Sequence, residues 1–266
     1  MKLYKYYPPE SEGFILLKNG DINLRFSQPS TLNDPFDLSP TIDIDKKTSH
    51  DLAKIIQEKT KSKSTHFLDT NTGEPYERAT LKQLGDSLYE KTVKQKIKKL
   101  REHNDLSIGV LSLSKNKKST LMWSHYSKNH TGFMLEIENS FELKNSNTQL
   151  KAQDVDYSKY RPTTKQSESY SDKSYFIYKD PVWHYEEEMR LVVELHTLEP
   201  TEKTRNDPLP CYCYTYPRSQ LGRIILGAMC PEDVEERIRK WADKHAPKIE
   251  VKKAYLNPAN YEINYK

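Results

Sequence analysis

One acidic segment of the chain carries residues suited to acid–base chemistry. It covers 183–190 with the sequence WHYEEEMR and leads into the apolar run LVV. Successive side chains of an extended chain alternate between two faces, so Glu186, Glu188 and Arg190 are predicted to share one face. A carboxylate beside another carboxylate tends to keep its proton, whereas one beside Arg stays ionised. The trio therefore predicts a carboxylate base or an anchor for substrate hydroxyls, and a structural ion pair of Arg190 at a strand edge is the alternative.

A second segment, 119–133, combines aromatic rings, hydroxyls and imidazoles in the sequence STLMWSHYSKNHTGF. We expect a short helix in which Leu121 and Met122 anchor the core while Trp123, Tyr126 and His130 face an adjoining surface. Such an aromatic shelf suits a planar base or a nicotinamide ring. The alternative places the rings of Trp123 and Tyr126 in the core and makes His125 a hydrogen-bonded structural residue.

A rigid corner is predicted at 33–37, where the sequence is NDPFD. Asn and Asp side chains bond to nearby backbone, and the residue before a proline avoids the α region. Rigid turns and strand ends are where proteins place functional polar groups. We therefore predict that the candidate residues converge on one cleft, namely Asn33, Asp34, Trp123, Tyr126, Trp183, Glu186, Glu188 and Arg190.

Several familiar signatures are missing from the sequence. It contains no G-x-x-x-x-G-K-[ST], G-x-G-x-x-G, H-E-x-x-H or G-x-S-x-G motif, and only 8 glycines. A nucleotide bound through a glycine-rich loop is therefore not expected. Cys211, Cys213 and Cys230 lack the paired spacing of a zinc site, so no metal is expected. Three cysteines without a disulfide framework favour a reducing, cytoplasmic setting.

Charge and hydropathy limit the partners. The net charge is +4 and 30% of the residues are charged, so nucleic-acid binding is compatible with the composition without being implied by it. No apolar run is long enough to cross a bilayer, and the N-terminus lacks the apolar stretch of a signal peptide. We expect no membrane partner.

The elements that must position these residues indicate an α+β fold. Strand and helix patterns are interspersed without a βαβ rhythm, which predicts a mixed, mainly antiparallel sheet core with flanking helices. The 266 residues are predicted to form a single domain, 1–266, with a helical insertion at about 42–104. Within that insertion an apolar stripe predicts a long helix from about 77 to 101.

Five motifs of the chain occur in a recognisable order. They are LYKY, FSQPSTLNDPFD, SLS with LMWSHYSKNHTGFMLEIE, YKDPVWHYEEEMRLV, and GRIILG followed by a helix. Together they resemble the bacterial family catalogued as domain of unknown function 2971. The resemblance covers most of the chain apart from the segment at about 42–104, and the family's name implies no activity.

The layout is also similar to that of ADP-ribosyltransferase-type enzymes, which bind NAD without a glycine-rich fingerprint. This analogy implies that Glu188, or Glu186 in the E-x-E spacing, holds the nicotinamide ribose and stabilises positive charge at its anomeric carbon. It also implies that Tyr126 and Trp123 lie near nicotinamide. The cations that it assigns to the pyrophosphate are Lys5 and Arg25.

The resulting hypothesis is an ADP-ribosyltransferase-like or NAD-cleaving enzyme, acting as a bacterial toxin or anti-phage defence effector. NAD is the candidate co-substrate, and a protein or nucleic acid is the candidate target. One alternative is a non-catalytic module that binds a small ligand or nucleic acid, and another is a metal-dependent nuclease using Asp34, Glu186 and Glu188. The predicted catalytic residues are Glu188, Glu186, Arg190 and Tyr126, and the predicted substrate-binding residues are Lys5, Arg25, Asn33, Asp34, Trp123, His125 and Trp183.

Overall fold

The chain divides into two compact units. The structure, a computed structural model, describes residues 1–43, 46–60, 81–142, 149–165, 174–201 and 209–266. The first unit consists of Met1–Leu38, Asn104–Arg161 and Lys173–Lys266, and the second of Ser39–His103 and Pro162–Asp172. The predicted helical insertion at about 42–104 nearly coincides with Ser39–His103, the first segment of the second unit. The organisation as a single domain stays a prediction.

Five α-helices and seventeen strands are found in the described residues. The helices are α1 Glu12–Ile15, α2 Lys46–Thr60, α3 Leu81–Ser107, α4 Thr120–Tyr126 and α5 Glu232–His245. The strands are β1 Lys2–Tyr7, β2 Ile22–Phe26, β3 Thr41–Asp43, β4 Ile108–Ser114, β5 Phe133–Glu138, β6 Phe141–Glu142, β7 Gln149–Leu150, β8 Gln153–Asp154, β9 Asp156–Tyr157, β10 Thr163–Lys165, β11 Tyr178–Lys179, β12 Glu188–Glu194, β13 Glu199–Thr201, β14 Cys211–Tyr216, β15 Leu221–Leu226, β16 Glu250–Leu256 and β17 Ile263–Tyr265.

The first unit is built on an eight-stranded sheet. Its strand order is β17-β16-β15-β5-β1-β4-β12-β8. Every neighbouring pair is antiparallel except β15 and β16, which α5 connects as a parallel pair. A smaller sheet of order β13-β14-β2 accompanies it. This architecture confirms the predicted α+β class with a mainly antiparallel sheet and flanking helices.

The two faces of the large sheet bury different side chains. Aliphatic residues such as Leu3, Leu111 and Leu135 face one side and share a core with residues of β2, β14 and α5. Tyr4 and Tyr6 alternate with them in β1 and join the buried residues of α4 on the other side. Period-two alternation of the strands therefore produces an aliphatic face and an aromatic face.

The long helix α3 continues beyond its predicted C-terminal end. It covers 81–107 where 77–101 was expected, and residues 77–80 lie outside the described part of the chain. Its last turn continues because Asn104 is buried and its Nδ2 donates to Tyr175 Oη at 2.8 Å. A tertiary hydrogen bond thus extends the helix beyond the point that the apolar stripe suggested.

Candidate functional site

A cavity of about 420 Å³ lies where β4 changes its neighbour. Within the described residues, β1 and β4 share a single register pair, Tyr4 with Ser114. Four residues earlier in β4, Val110 exchanges two backbone hydrogen bonds of 2.9 Å with Ser27. The cavity opens between these two points, and residues from β1, β4 and the turn after β2 line it.

Lys5 crosses the gap between β1 and β4. Its Nζ donates to the backbone carbonyl of Ser112 at 2.8 Å, so a side chain satisfies a carbonyl in the region where the strands separate. Burial is the main reason why the pKa of Lys5 falls to about 8, although Glu188 and Glu186 oppose the shift. No carboxylate of the described residues forms an ion pair with Lys5 within 4.0 Å. The amine therefore presents a cation to the cavity that a substrate anion can meet.

Three buried carboxylates surround two buried cations at the inner wall of the cavity. Lys179 Nζ donates to Glu186 Oε2 at 2.5 Å and to Glu188 Oε2 at 2.9 Å, and it lies 3.6 Å from Asp37 Oδ2. Arg190 Nη2 donates to the same Asp37 oxygen at 2.7 Å. Each of these five side chains is less than 10% exposed. Burial of charge on this scale is tolerated because every charge has an oppositely charged partner.

Glu188 and Arg190 form a pair that is joined by two hydrogen bonds. Arg190 Nε donates to Glu188 Oε1 at 2.7 Å, and Nη2 donates to Oε2 at 2.9 Å. The third guanidinium nitrogen, Nη1, donates to the Phe176 carbonyl at 2.7 Å. Burial alone would raise the pKa of Glu188, but Arg190 and Lys179 outweigh it and lower that pKa to about 2. Glu188 is therefore ionised and bonded to fixed cations.

Glu186 has a different environment. Burial raises its pKa, against the opposing effect of Lys179. Tyr126 Oη donates to its Oε1 at 2.5 Å, and Lys179 bonds its Oε2. Each oxygen thus accepts one hydrogen bond in the described structure, whereas a carboxylate offers about four acceptor positions. Glu186 lines the cavity and keeps acceptor capacity for a ligand hydroxyl.

The backbone at 181–188 does not form the extended segment that the sequence predicted. Residues Pro181–Glu186 form a 3₁₀ helix, which Asp180 caps by accepting from Val182 N at 2.9 Å. Glu187 then adopts a left-handed conformation with φ 43°, and β12 begins at Glu188. Simple strand alternation therefore does not relate Glu186 to Glu188. The turn at Glu187 nevertheless brings the carboxylates of Glu186 and Glu188 to the ammonium of Lys179.

Helix α4 corrects the predicted placement of Trp123. Ser119 caps the helix by accepting from Met122 N, and the indole of Trp123 is fully buried. Trp123 packs edge-on against Tyr6 with ring centroids 5.2 Å apart, and it does not line the cavity. Tyr126 and the exposed His125 do line it. The helix turns Trp123 inward because the aromatic face of the sheet covers that side of α4.

The corner at 33–37 also contributes different side chains to the site from those that the sequence predicted. Asn33 is exposed and lines the cavity. Asp34 is buried and its Oδ1 accepts from Phe36 N at 2.8 Å, so it stabilises the turn and does not line the cavity. The carboxylate that joins the charged cluster is Asp37. Arg25 lies in β2 opposite Cys213 and does not line the cavity either.

The remaining predicted residue, Trp183, lies on the 3₁₀ helix at 181–186. Its partly exposed ring lies over Lys179 Nζ, 5.2 Å from the ring centroid. Of the predicted residues, the structure brings Lys5, Asn33, His125, Tyr126, Glu186 and Glu188 to the cavity wall.

Sequence reasoning missed Lys179, Asp37, Ser112 and Ser114 at this site. The serines carried a signal, because IGVLSLS places polar residues on one face of an otherwise apolar strand. Ser114 Oγ donates to the Glu186 carbonyl at 2.6 Å, so it helps to hold the turn before β12. Asp37 lies in the motif FSQPSTLNDPFD and Lys179 in the motif YKDPVWHYEEEMRLV, but only their contacts in the folded structure give them a role.

The described residues contain no group of three His, Cys, Asp or Glu side chains that could hold a metal ion. The carboxylates of Asp37, Glu186 and Glu188 instead contact the ammonium of Lys179. No helix within the described ranges is long and apolar enough to cross a membrane.

Comparison with known proteins yields one family description. The model of a family described as "Protein of unknown function (DUF2971)" matches residues 122–191. The matched segment contains most of α4, Lys179 and the turn with Glu186 and Glu188, and it supports the family resemblance over that part of the chain. No curated protein and no solved structure matches the chain.

Proposed function

We propose that this chain is an ADP-ribosyltransferase-like or NAD-cleaving enzyme in which Glu186 holds the reacting ribose. The observation that carries the proposal is the position of Glu186. Its carboxylate lines a cavity of about 420 Å³, within the size range of small-molecule sites, and is held by Tyr126 and Lys179.

The chemistry requires little beyond a positioned carboxylate. When the bond between the anomeric carbon and the nicotinamide nitrogen breaks, the electron pair leaves with nicotinamide, which becomes neutral. Positive charge then develops on the ribose, and a nearby carboxylate stabilises it. Water or a nucleophile of a target molecule forms the new bond to the anomeric carbon and loses a proton. Glu186 can accept a ribose hydroxyl while facing that carbon.

Glu186 suits this role better than Glu188, the residue favoured by the analogy. Glu188 already accepts three hydrogen bonds, two from Arg190 and one from Lys179. Its charge is consumed in holding those cations. Glu186 accepts two hydrogen bonds in the described structure, so a substrate hydroxyl does not have to displace an existing partner.

Lys5 is the proposed contact for a substrate phosphate. A partly buried ammonium that has no carboxylate of the described residues within 4.0 Å gains a favourable ion pair when a phosphate enters the cavity. Such a contact replaces the glycine-rich loop that the sequence lacks. The nucleotide is therefore proposed to place an anionic group at Lys5 and its ribose at Glu186.

The proposed biological setting follows from the chemistry. An enzyme that consumes NAD finds its substrate inside a cell, and depletion of NAD harms that cell. We propose a toxin or anti-phage defence effector on that basis. The ADP-ribose acceptor is water, a protein or a nucleic acid.

The test is to incubate the purified full-length chain with NAD, alone and with a cell extract, and to follow NAD and macromolecules by mass spectrometry. Glu186→Gln removes the charge with little change in shape, and we expect a rate loss of roughly 10²–10³-fold. Glu187→Gln is the matched control, because the exposed Glu187 bonds Asn116 and does not line the cavity. Equal activity of the two variants, or an intact NAD pool with the wild type, would contradict the proposal.

The second candidate is a non-catalytic binding module. It is favoured by the mutual neutralisation of Asp37, Glu188, Lys179 and Arg190, which is what a rigid structural cluster requires. In that case NAD or another nucleotide binds without being consumed. The nuclease alternative differs from both, because its activity would be lost with a chelator.

A further inference from the structure

Three aromatic side chains form a continuous ring strip beside the cavity. The ring strip consists of His125, Tyr185 and Trp183. The centroids of His125 and Tyr185 are 6.1 Å apart, and those of Tyr185 and Trp183 are also 6.1 Å apart. His125 is exposed and the other two rings are partly exposed. Neighbouring rings at this spacing offer faces on which a planar ligand can stack.

The ring strip is joined to the cavity at two points. His125 lines the cavity itself. At the other end, the ring of Trp183 covers the Nζ of Lys179, a residue that lines the cavity. The ring between them, Tyr185, directly precedes Glu186 and feels its charge, which raises the pKa of Tyr185 in addition to the larger effect of burial. A ligand that fills the cavity therefore has ring faces next to it.

The charge beneath Trp183 selects the kind of ring. Lys179 Nζ lies 5.2 Å from the centroid and already uses the negative quadrupole of the indole. A cationic pyridinium stacked on the other face of the indole would be repelled by that ammonium across the ring. A neutral purine stacks mainly by dispersion and burial of apolar surface, so it does not suffer this repulsion.

We propose that the ring strip binds the neutral purine base of a dinucleotide whose pyrophosphate and second ribose, the one held by Glu186, extend into the cavity. This inference rests on the proposed function for the choice of a nucleotide as ligand. It adds the position of the adenine-type base, and it assigns Tyr185 to the binding surface. It also replaces Trp123, the ring that the sequence favoured for this purpose.

The chain contains a built-in reporter of this site. It has three tryptophans, of which Trp123 is fully buried and Trp241 is 8% exposed in α5. Trp183 is the one with a partly exposed ring, so a stacked purine should quench its fluorescence and protect it from iodide. Trp241→Phe removes one source of unrelated emission and keeps a ring in the aliphatic core, although it loses the hydrogen bond from Trp241 Nε1 to the Leu17 carbonyl.

The experiment titrates the full-length Trp241→Phe protein with adenosine 5′-monophosphate and, separately, with nicotinamide mononucleotide. We expect quenching of Trp183 and iodide protection with the adenine nucleotide, and clearly weaker binding of the nicotinamide nucleotide. Trp183→Leu should weaken adenosine 5′-monophosphate binding about tenfold by calorimetry, in line with the loss of one stacking contact. Tyr185→Leu serves as a second variant, and circular dichroism verifies that both fold.

The outcomes separate this inference from the proposed function. Tight adenine-nucleotide binding that is unchanged in both ring variants would overturn the inference, as would binding of the nicotinamide nucleotide alone. Undetectable binding of both nucleotides would also overturn it. If adenosine 5′-monophosphate binds through Trp183 but NAD is not consumed, the ring strip stands and the proposed reaction falls. If NAD is consumed with an unchanged KM in Trp183→Leu, the reaction stands and the ring strip falls.

Discussion

Replacing Glu188 with Gln distinguishes a catalytic carboxylate from a structural one. The side chain is 3% exposed and accepts hydrogen bonds from Arg190 Nε, Arg190 Nη2 and Lys179 Nζ. Glu188→Gln keeps the shape but removes the negative charge, and its amide group must point N–H donors at a cation. The structure therefore predicts a loss of stability as the main effect.

The magnitude follows from two independent arguments. Removing one partner of a buried ion pair costs about 3–5 kcal/mol. The pKa of Glu188 falls from 4.5 to about 2 in the folded state, and at about 1.4 kcal/mol per unit this corresponds to roughly 3 kcal/mol of stability. For a protein of this size, a loss of about 3 kcal/mol lowers Tm by about 10 °C.

The pH dependence gives the prediction a second signature. Because the folded-state pKa of Glu188 lies below the unfolded value, its stabilisation is fully present above about pH 4.5 and is lost as the pH falls toward 2. The stability difference between wild type and Glu188→Gln should therefore be constant from pH 7 to 5 and shrink at lower pH. Urea unfolding at several pH values measures that difference.

Glu187→Gln is the matched control, because the same change is made one residue away at an exposed position. Surface changes of this kind alter stability by less than about 0.5 kcal/mol. A Glu188→Gln protein that melts within about 2 °C of the wild type would refute the structural reasoning. A folded variant that loses several orders of magnitude of NAD cleavage would restore Glu188 as the catalytic carboxylate.

Three further changes test other parts of the structure. Tyr126→Phe removes the donor to Glu186 Oε1, which favours the ionised form; we expect a loss of about 1 kcal/mol and an upward shift of the acid limb of the pH–rate profile, and an unchanged limb would contradict the assignment. Lys5 should titrate near pH 8, as followed by NMR of ¹³C-methylated lysines with Lys5→Arg for assignment, whereas a pKa near 10.5 would mean that it is solvated. Because its folded pKa lies below the unfolded value, stability should rise between about pH 8 and 10.5, and Lys5→Met should abolish that rise. Gly132→Ala would place a Cβ 1.9 Å from the Tyr7 carbonyl oxygen, so we expect a loss of about 3 kcal/mol, and a wild-type Tm would show that the close approach is not rigid.

Local patterns determined the class of fold. Alternation in IGVLSLS and FMLEIE produced central strands, because an apolar residue at every second position forms a face that must be buried. Pro231 followed by Glu232 and Asp233 is a sequence pattern typical of a helix start, and α5 begins at Glu232. These features depend on residues within one or two turns of each other, so they are legible without knowledge of the rest of the chain.

Residue types also identified part of the site. Glu186, Tyr126, His125, Asn33 and Lys5 were named from the sequence and lie at the wall of one cavity. Their roles could not be ranked, since E-x-E is symmetrical as a pattern. The two glutamates differ only because Arg190 pairs with Glu188, while Tyr126 donates to Glu186.

The sequence by itself therefore determined the α+β architecture and the polar segments from which a site is built. Only the tertiary structure decided which of those side chains meet. Asp37 reaches Arg190 from 153 residues away, and the aromatic face of the sheet buries Trp123 while leaving Trp183 partly exposed. The physical reason is that burial and ion pairing depend on the surface packed against a residue, and that surface comes from strands distant in the chain.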